Sequence, residues 1–143
     1  MAQAKDYIRW IRSKVGHEKI ILTYAGGCIF NALREHGKLN RETRRYEDPK
    51  YVKAAGNYLW LGVLIALDAV FHVKKKNTDR VSVDDYRSVV AKRDIKLLGW
   101  MNDGYQIMHL SMNYDGIQDK VICDQGFRVA NEIIDRCESL VQG

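Results

Sequence analysis

Asp68 is the chemically most unusual residue of this chain. It lies in Tyr58–Val73, the most apolar run of the sequence, where an unpaired carboxylate is costly to bury. His72 follows four residues later, so the two can meet on one helix face. Asn57, eleven residues before Asp68, shares that face. Two readings stay open. One is a polar stripe at a site or a dimer interface. The other, which weighs more, is a structural Asp–His or Asp–Arg pair between helices.

His109 is the second candidate. A histidine there could act as a general acid or base, or as an RNA-cleaving group. Tyr105 and Met112 are its helical neighbours. Tyr114, Asp115 and Gly116 follow one turn on and add to the case for a shared polar pocket. The plainer reading is a histidine satisfied within the fold and a helix-ending turn, since Asp and Gly favour turns.

Basic residues form a third group. Arg41, Arg44 and Arg45 lie in the polar segment Lys38–Glu47, and Lys74, Lys75 and Lys76 end a later helix. Together they could hold the phosphates of a nucleic acid. The lysine run also suits the negative end of a helix dipole. Residues 1–53 carry twelve basic and six acidic residues, whereas residues 99–143 carry three and seven. The overall net charge of +5 is modest for a nucleic-acid binder. Opposite charges paired within the fold or across a dimer account for it more simply.

Other chemistry finds no motif. There is no GxGxxG, P-loop, HExxH or GxSxG pattern, and His17, His36, His72 and His109 have no metal-ligand spacing. Neither a metal nor a cofactor is expected. Cys28, Cys123 and Cys137 are odd in number and form no CxxC pair. Cys123 and Cys137 fall about 21 Å apart along one expected helix, too far for a disulfide. Buried free thiols are the simple reading.

The elements that must position these residues are helical. A single proline in 143 residues disfavours a turn-rich β fold. Residues 4–15 form a short amphipathic segment. A helix is expected from Glu18 to about Glu35, interrupted by Gly26 and Gly27, whose reason is close helix packing. Lys38–Glu47 reads as a loop. Asp48 and Pro49 form a helix start, with the aspartate as cap, and that helix should run to about Lys75. Ser82 with Asp85 resembles a capping box opening a short helix to about Lys92. A helix from about Asp94 to Tyr114 has the seam Leu98, Met101, Tyr105, Met108 and Met112. The last, from about Asp119 to Val141, has Cys123, Phe127, Ala130, Ile134, Cys137 and Val141. Three- and four-residue steps of this kind are those of bundle packing. Gly62 and Gly104 fall inside helices, where close packing is again the reason.

The expected fold is all-α: a single domain of residues 1–143, with a four-helix-bundle core over about 18–141 and one or two additional short helices. Residues 1–17 form an N-terminal extension. Tyr58–Val73 is short for a bilayer span and holds Asp68, so a core helix explains it better than a membrane anchor. With no signal-peptide pattern, a cytoplasmic protein is expected.

The stretches YEDPKYVKAA (46–55), GVLIALDA (62–69), His109–Ser111 and Tyr114–Gly116 resemble a bacterial all-helical family of unknown function, known from structural genomics and assigned its own helical-bundle fold. The resemblance covers roughly residues 18–138 and implies the fold without an activity. The helix order is also similar to HEPN domains, small and often dimeric bundles. Many of these are ribonucleases or partners of nucleotidyltransferases. Tyr58–Phe71 looks like their second core helix, and His109 would be their catalytic histidine. Their arginine precedes it by a few residues. Here Asn102, Asp103 and Gly104 stand at those positions, so the nuclease motif is broken.

The function expected is therefore that of a non-catalytic helical-bundle protein that binds or interacts, as a homodimer, with a protein or nucleic-acid partner. The alternative is a HEPN-like RNA-acting protein or nucleotidyltransferase partner with a degenerate active site.

Overall fold

Asp48 and Pro49 do open a long helix. The Asp48 carboxylate accepts a hydrogen bond from the Lys50 N–H at 3.0 Å, and Pro49 fills the first position, where no N–H is needed. This helix, α1, spans Pro49–Phe71 in a computed structural model that describes residues 33–73 and 81–142. It stops four residues short of the expected Lys75. His72 takes a left-handed conformation (φ 50°), and its N–H closes the helix on the Asp68 carbonyl. Lys74, Lys75 and Lys76 lie outside the described residues, as do Gly26, Gly27, Cys28 and most of the helix expected over 18–35. Residues 33–36 are helical.

The segment expected as a loop before α1 is a small antiparallel hairpin. Its strands β1 (Leu39–Asn40) and β2 (Arg45–Tyr46) pair Leu39 with Tyr46 and Asn40 with Arg45. The Asn40 side chain accepts from the Glu42 and Thr43 N–H groups, and Arg44 closes the turn at φ 58°. That side-chain cap supplies the turn chemistry that glycine provides in most hairpins. Tyr46 is fully buried and pins the hairpin to the core.

Helix α2 (Val83–Ala91) starts on the capping box read from the sequence. Ser82 Oγ accepts from the Asp85 N–H, and the Asp85 carboxylate accepts from the Ser82 N–H. Helix α3 (Ile95–Gly104) is capped by Asp94, which accepts from the Leu97 N–H. The same carboxylate holds Arg136 at 2.7 Å. Arg136 belongs to helix α4 (Lys120–Gln142), so this ion pair ties the start of α3 to the far part of α4.

Between α3 and α4 the chain departs from expectation. The helix continues from Gly104 without a break, but Tyr105–Tyr114 is wound as a π-helix. Runs of this length are uncommon, because π winding is found mostly as single-turn bulges. It ends where the sequence placed the turn: Gly116 has φ 62°, which suits glycine.

The described residues are all-α apart from the hairpin. Their core joins Leu59, Val63 and Leu67 of α1 to Met101, Met108 and Met112, and to Cys123, Phe127, Ala130, Ile134 and Cys137 of α4. The apolar seams at three- and four-residue steps thus face inward. Both thiols are pushed up to about 12 by burial first of all, so they behave as apolar core groups. By length and composition alone α1 could cross a bilayer. Its residues Val52, Leu59, Val63, Leu67 and Val70 instead bury against the other helices, which accounts for its apolar character.

One glycine sets the depth of the packing. A Cβ on Gly56 would lie 2.5 Å from the Met108 carbonyl oxygen and 2.7 Å from the Asn113 nitrogen. Bare backbone there lets α1 rest directly on the π-helical turns. The close packing expected at Gly104 is present too, against the Met108 side chain and within reach of Trp60. Gly62 is buried.

Candidate functional site

The π winding decides which side chains share a face. Nine residues separate Tyr105 from Tyr114. That is about two and a half turns of α-helix, which would set the two on opposite sides. It is close to two turns at the roughly 4.4 residues per turn of a π-helix. Tyr105, His109 and Tyr114 therefore line up, and their rings touch in sequence. Tyr105 and His109 have centroids 5.2 Å apart, and His109 meets Tyr114 edge-on at 5.3 Å. Trp60 of α1 completes the group, 5.7 Å from Tyr105 and 6.0 Å from His109. Separations of this size are those of favourable aromatic pairs.

The cluster runs from core to surface. Trp60 is buried, Tyr105 and His109 are half-buried, and Tyr114 is 66% exposed. Arg87 of α2 lies over the Tyr105 ring at 5.1 Å, a cation–π contact. Its guanidinium is fixed by Asn102 Oδ1 and Asp84 Oδ1, both at 2.9 Å. Burial lowers the affinity of His109 for a proton, and its Nδ1 is buried with no hydrogen-bond partner. The charged form of its ring is thus disfavoured among aromatic neighbours.

Asp68 is not part of this cluster. Its Oδ2 accepts a 2.9 Å hydrogen bond from the Tyr86 hydroxyl of α2. The carboxylate's structural partner is therefore neither the histidine nor the arginine expected from the sequence. His72 sits nearby as the exposed helix end, and its charge acts on Asp68 only as the weakest of three influences. Desolvation raises the Asp68 pKa above its ordinary value, against the Tyr86 hydrogen bond and the His72 charge. Asp68 lies eight residues beyond Trp60, about 12 Å along the helix axis. Asp115 is exposed at the π-helix end. Of the five polar candidates, then, the fold joins His109 to Tyr114 and sets Asp68 with His72 elsewhere.

Arg41, Arg44 and Arg45 are brought together on the exposed hairpin. The hairpin is held by the strand leading into α4. Tyr46 donates to the Gln118 carbonyl, the Gln118 side chain donates back to the Tyr46 carbonyl, and the Lys120 N–H donates to that of Arg44. Among the described residues no group of three His, Cys, Asp or Glu side chains could hold a metal ion.

Sequence reasoning missed Trp60, Tyr86 and Arg87. Tyr86 and Arg87 carry no local signal, because their roles depend on how α2 lands beside α1 and the π-helix. The grouping of Tyr114 with His109 was legible, whereas the alignment of both with Tyr105 depends on the π winding, which α-helical periodicity does not show.

Comparison with known proteins agrees with the fold. The profile of DUF5618, a domain of unknown function, matches residues 31–139. A solved protein of unknown function from Dyadobacter fermentans is 32% identical, with a TM-score of 0.72 over 95% of this chain and 96% of its own. No curated protein matches.

Proposed function

We propose that this chain, which belongs to the DUF5618 family, works by binding and not by catalysis. One observation carries the reading: Asp68 stands apart from His109, while large apolar side chains stand on the surface. Asp68 is held by Tyr86, and burial among rings disfavours a proton on His109. Tyr58, Leu61 and Tyr114 are 38%, 48% and 66% exposed. Exposed aromatic and aliphatic side chains are the usual material of an interaction surface.

A second reading, a HEPN-like RNA-acting protein, has one observation in its favour. Arg87 reaches the Tyr105 ring, which itself adjoins His109. A cation thus joins the ring cluster that holds the histidine, although the sequence spacing lacks it. The exposed arginines of the hairpin would then meet phosphates.

The two readings separate in one experiment. Purified full chain is incubated with single-stranded RNA at about 50 mM salt, where phosphate contacts are strong. The binding reading expects intact RNA with both the wild type and His109→Ala. Degradation by the wild type that His109→Ala abolishes would establish the second reading instead.

A further inference from the structure

The outward side of α1 carries an order of its own, although Leu64 also packs against the edge of the core and Asp68 holds Tyr86. Lys50, Ala54, Asn57, Leu61, Leu64 and Asp68 recur at steps of four, three, four, three and four residues. That is the spacing of a seam between two helices. The first four are exposed and the last two half-buried. Tyr58 flanks the seam and is 38% exposed. The seam is about 27 Å long, with a cation at one end, a carboxylate at the other and three apolar side chains between.

We propose that this stripe is the contact face for a second copy of the chain, packed antiparallel across a two-fold axis near residue 59. The proposal deepens the binding reading and rests on it. A two-fold contact requires a surface complementary to itself, and the stripe meets that requirement. Lys50 faces the partner's Asp68, Ala54 faces the partner's Leu64, and Asn57 faces the partner's Leu61, each pairing occurring twice. Tyr86 occupies only Oδ2 of Asp68. A parallel pairing would instead set Lys50 against the partner's Lys50 and Asp68 against the partner's Asp68. A membrane surface is a poor occupant, since Lys50, Asn57 and Asp68 would all enter it.

Sedimentation velocity on the full chain tests the face. The wild type is expected to run as a dimer and Leu61→Glu as a monomer with unchanged helical circular dichroism. Lys50→Glu should weaken the dimer by about tenfold, from two lost ion pairs replaced by repulsion. Ile95→Glu, at an exposed position on α3 away from the stripe, should leave the dimer intact. The register is read by mixing Asn57→Cys chains with Leu61→Cys chains under mild oxidation, where mixed disulfides should exceed those within either type. A wild-type monomer, a dimer indifferent to Leu61→Glu, or a preference for like-with-like disulfides would each overturn the proposal. None of these readouts depends on RNA. Failure here alone would remove the second copy as partner, and RNA cleavage abolished by His109→Ala would remove the binding reading itself.

Discussion

Asp68 illustrates how the partner of a half-buried carboxylate is set by tertiary docking and not by local spacing. Its position in an apolar helix was plain from the sequence, as was its need for a partner. The identity of that partner was not, because Tyr86 lies eighteen residues on and approaches only when α2 docks. The pairing has a pH consequence. Desolvation raises the Asp68 pKa above the unfolded value of 3.8, so the folded state holds its proton more tightly than the unfolded chain. Stability from this group is present below pH 3.8 and is lost as pH rises through the folded pKa. Asp68→Asn keeps an acceptor for the Tyr86 hydroxyl and removes the charge. Placed in the Leu61→Glu background, where no partner's Lys50 faces residue 68, the variant should therefore melt at or above its parent's temperature at pH 7, with the advantage fading toward pH 3. A large loss of Tm at pH 7 would show that the carboxylate charge itself is needed.

At the scale of elements, helix positions were largely legible because caps and apolar periodicity are local. Asp48–Pro49, Ser82 with Asp85, and Asp94 each start a helix where their chemistry directs. The change of winding at Tyr105 was not legible. Its seam of Met101, Met108 and Met112 fits an α-helix equally well, and α1 comes within contact of the π turns at Gly56, far away in sequence. Two glycine substitutions separate local propensity from packing. Gly99 has nothing within 4 Å of where a Cβ would be, so Gly99→Ala should stabilise by about 0.5–1 kcal/mol through helix propensity. Gly56→Ala would drive a methyl into backbone atoms of the π-helix, and a loss of about 1–3 kcal/mol or more is expected. Chemical denaturation of both variants checks the pair, and equal effects would refute the role given to Gly56.

At the scale of the whole molecule, long-range ties hold the helices in register. The Asp94 carboxylate serves two elements at once, capping α3 and holding Arg136 of α4. Burial alone would raise its pKa, but the Leu97 N–H and the Arg136 guanidinium outweigh that and lower it. Stability from Asp94 is therefore present above pH 3.8 and is lost as pH falls through the lower folded value. Asp94→Ala removes the cap and leaves Arg136 without this partner, for an expected loss of about 2–4 kcal/mol at pH 7. Chemical denaturation at pH 7 would record it, and a change below 0.5 kcal/mol would contradict the role assigned to this tie. The all-α class was legible from one proline and the apolar steps, whereas the hairpin was hidden in a polar segment whose turn is closed by Asn40 and Arg44.

The outward stripe of α1 belongs to this scale as well, because the chain leaves Leu61 and Tyr58 in solvent on a helix of 23 residues. The account holds that these side chains meet a second copy. Light scattering on the full chain at neutral pH tests it most directly. The account predicts a molar mass of twice the 16.5 kDa chain, constant across a hundredfold range of concentration. A mass of 16.5 kDa throughout that range would contradict it.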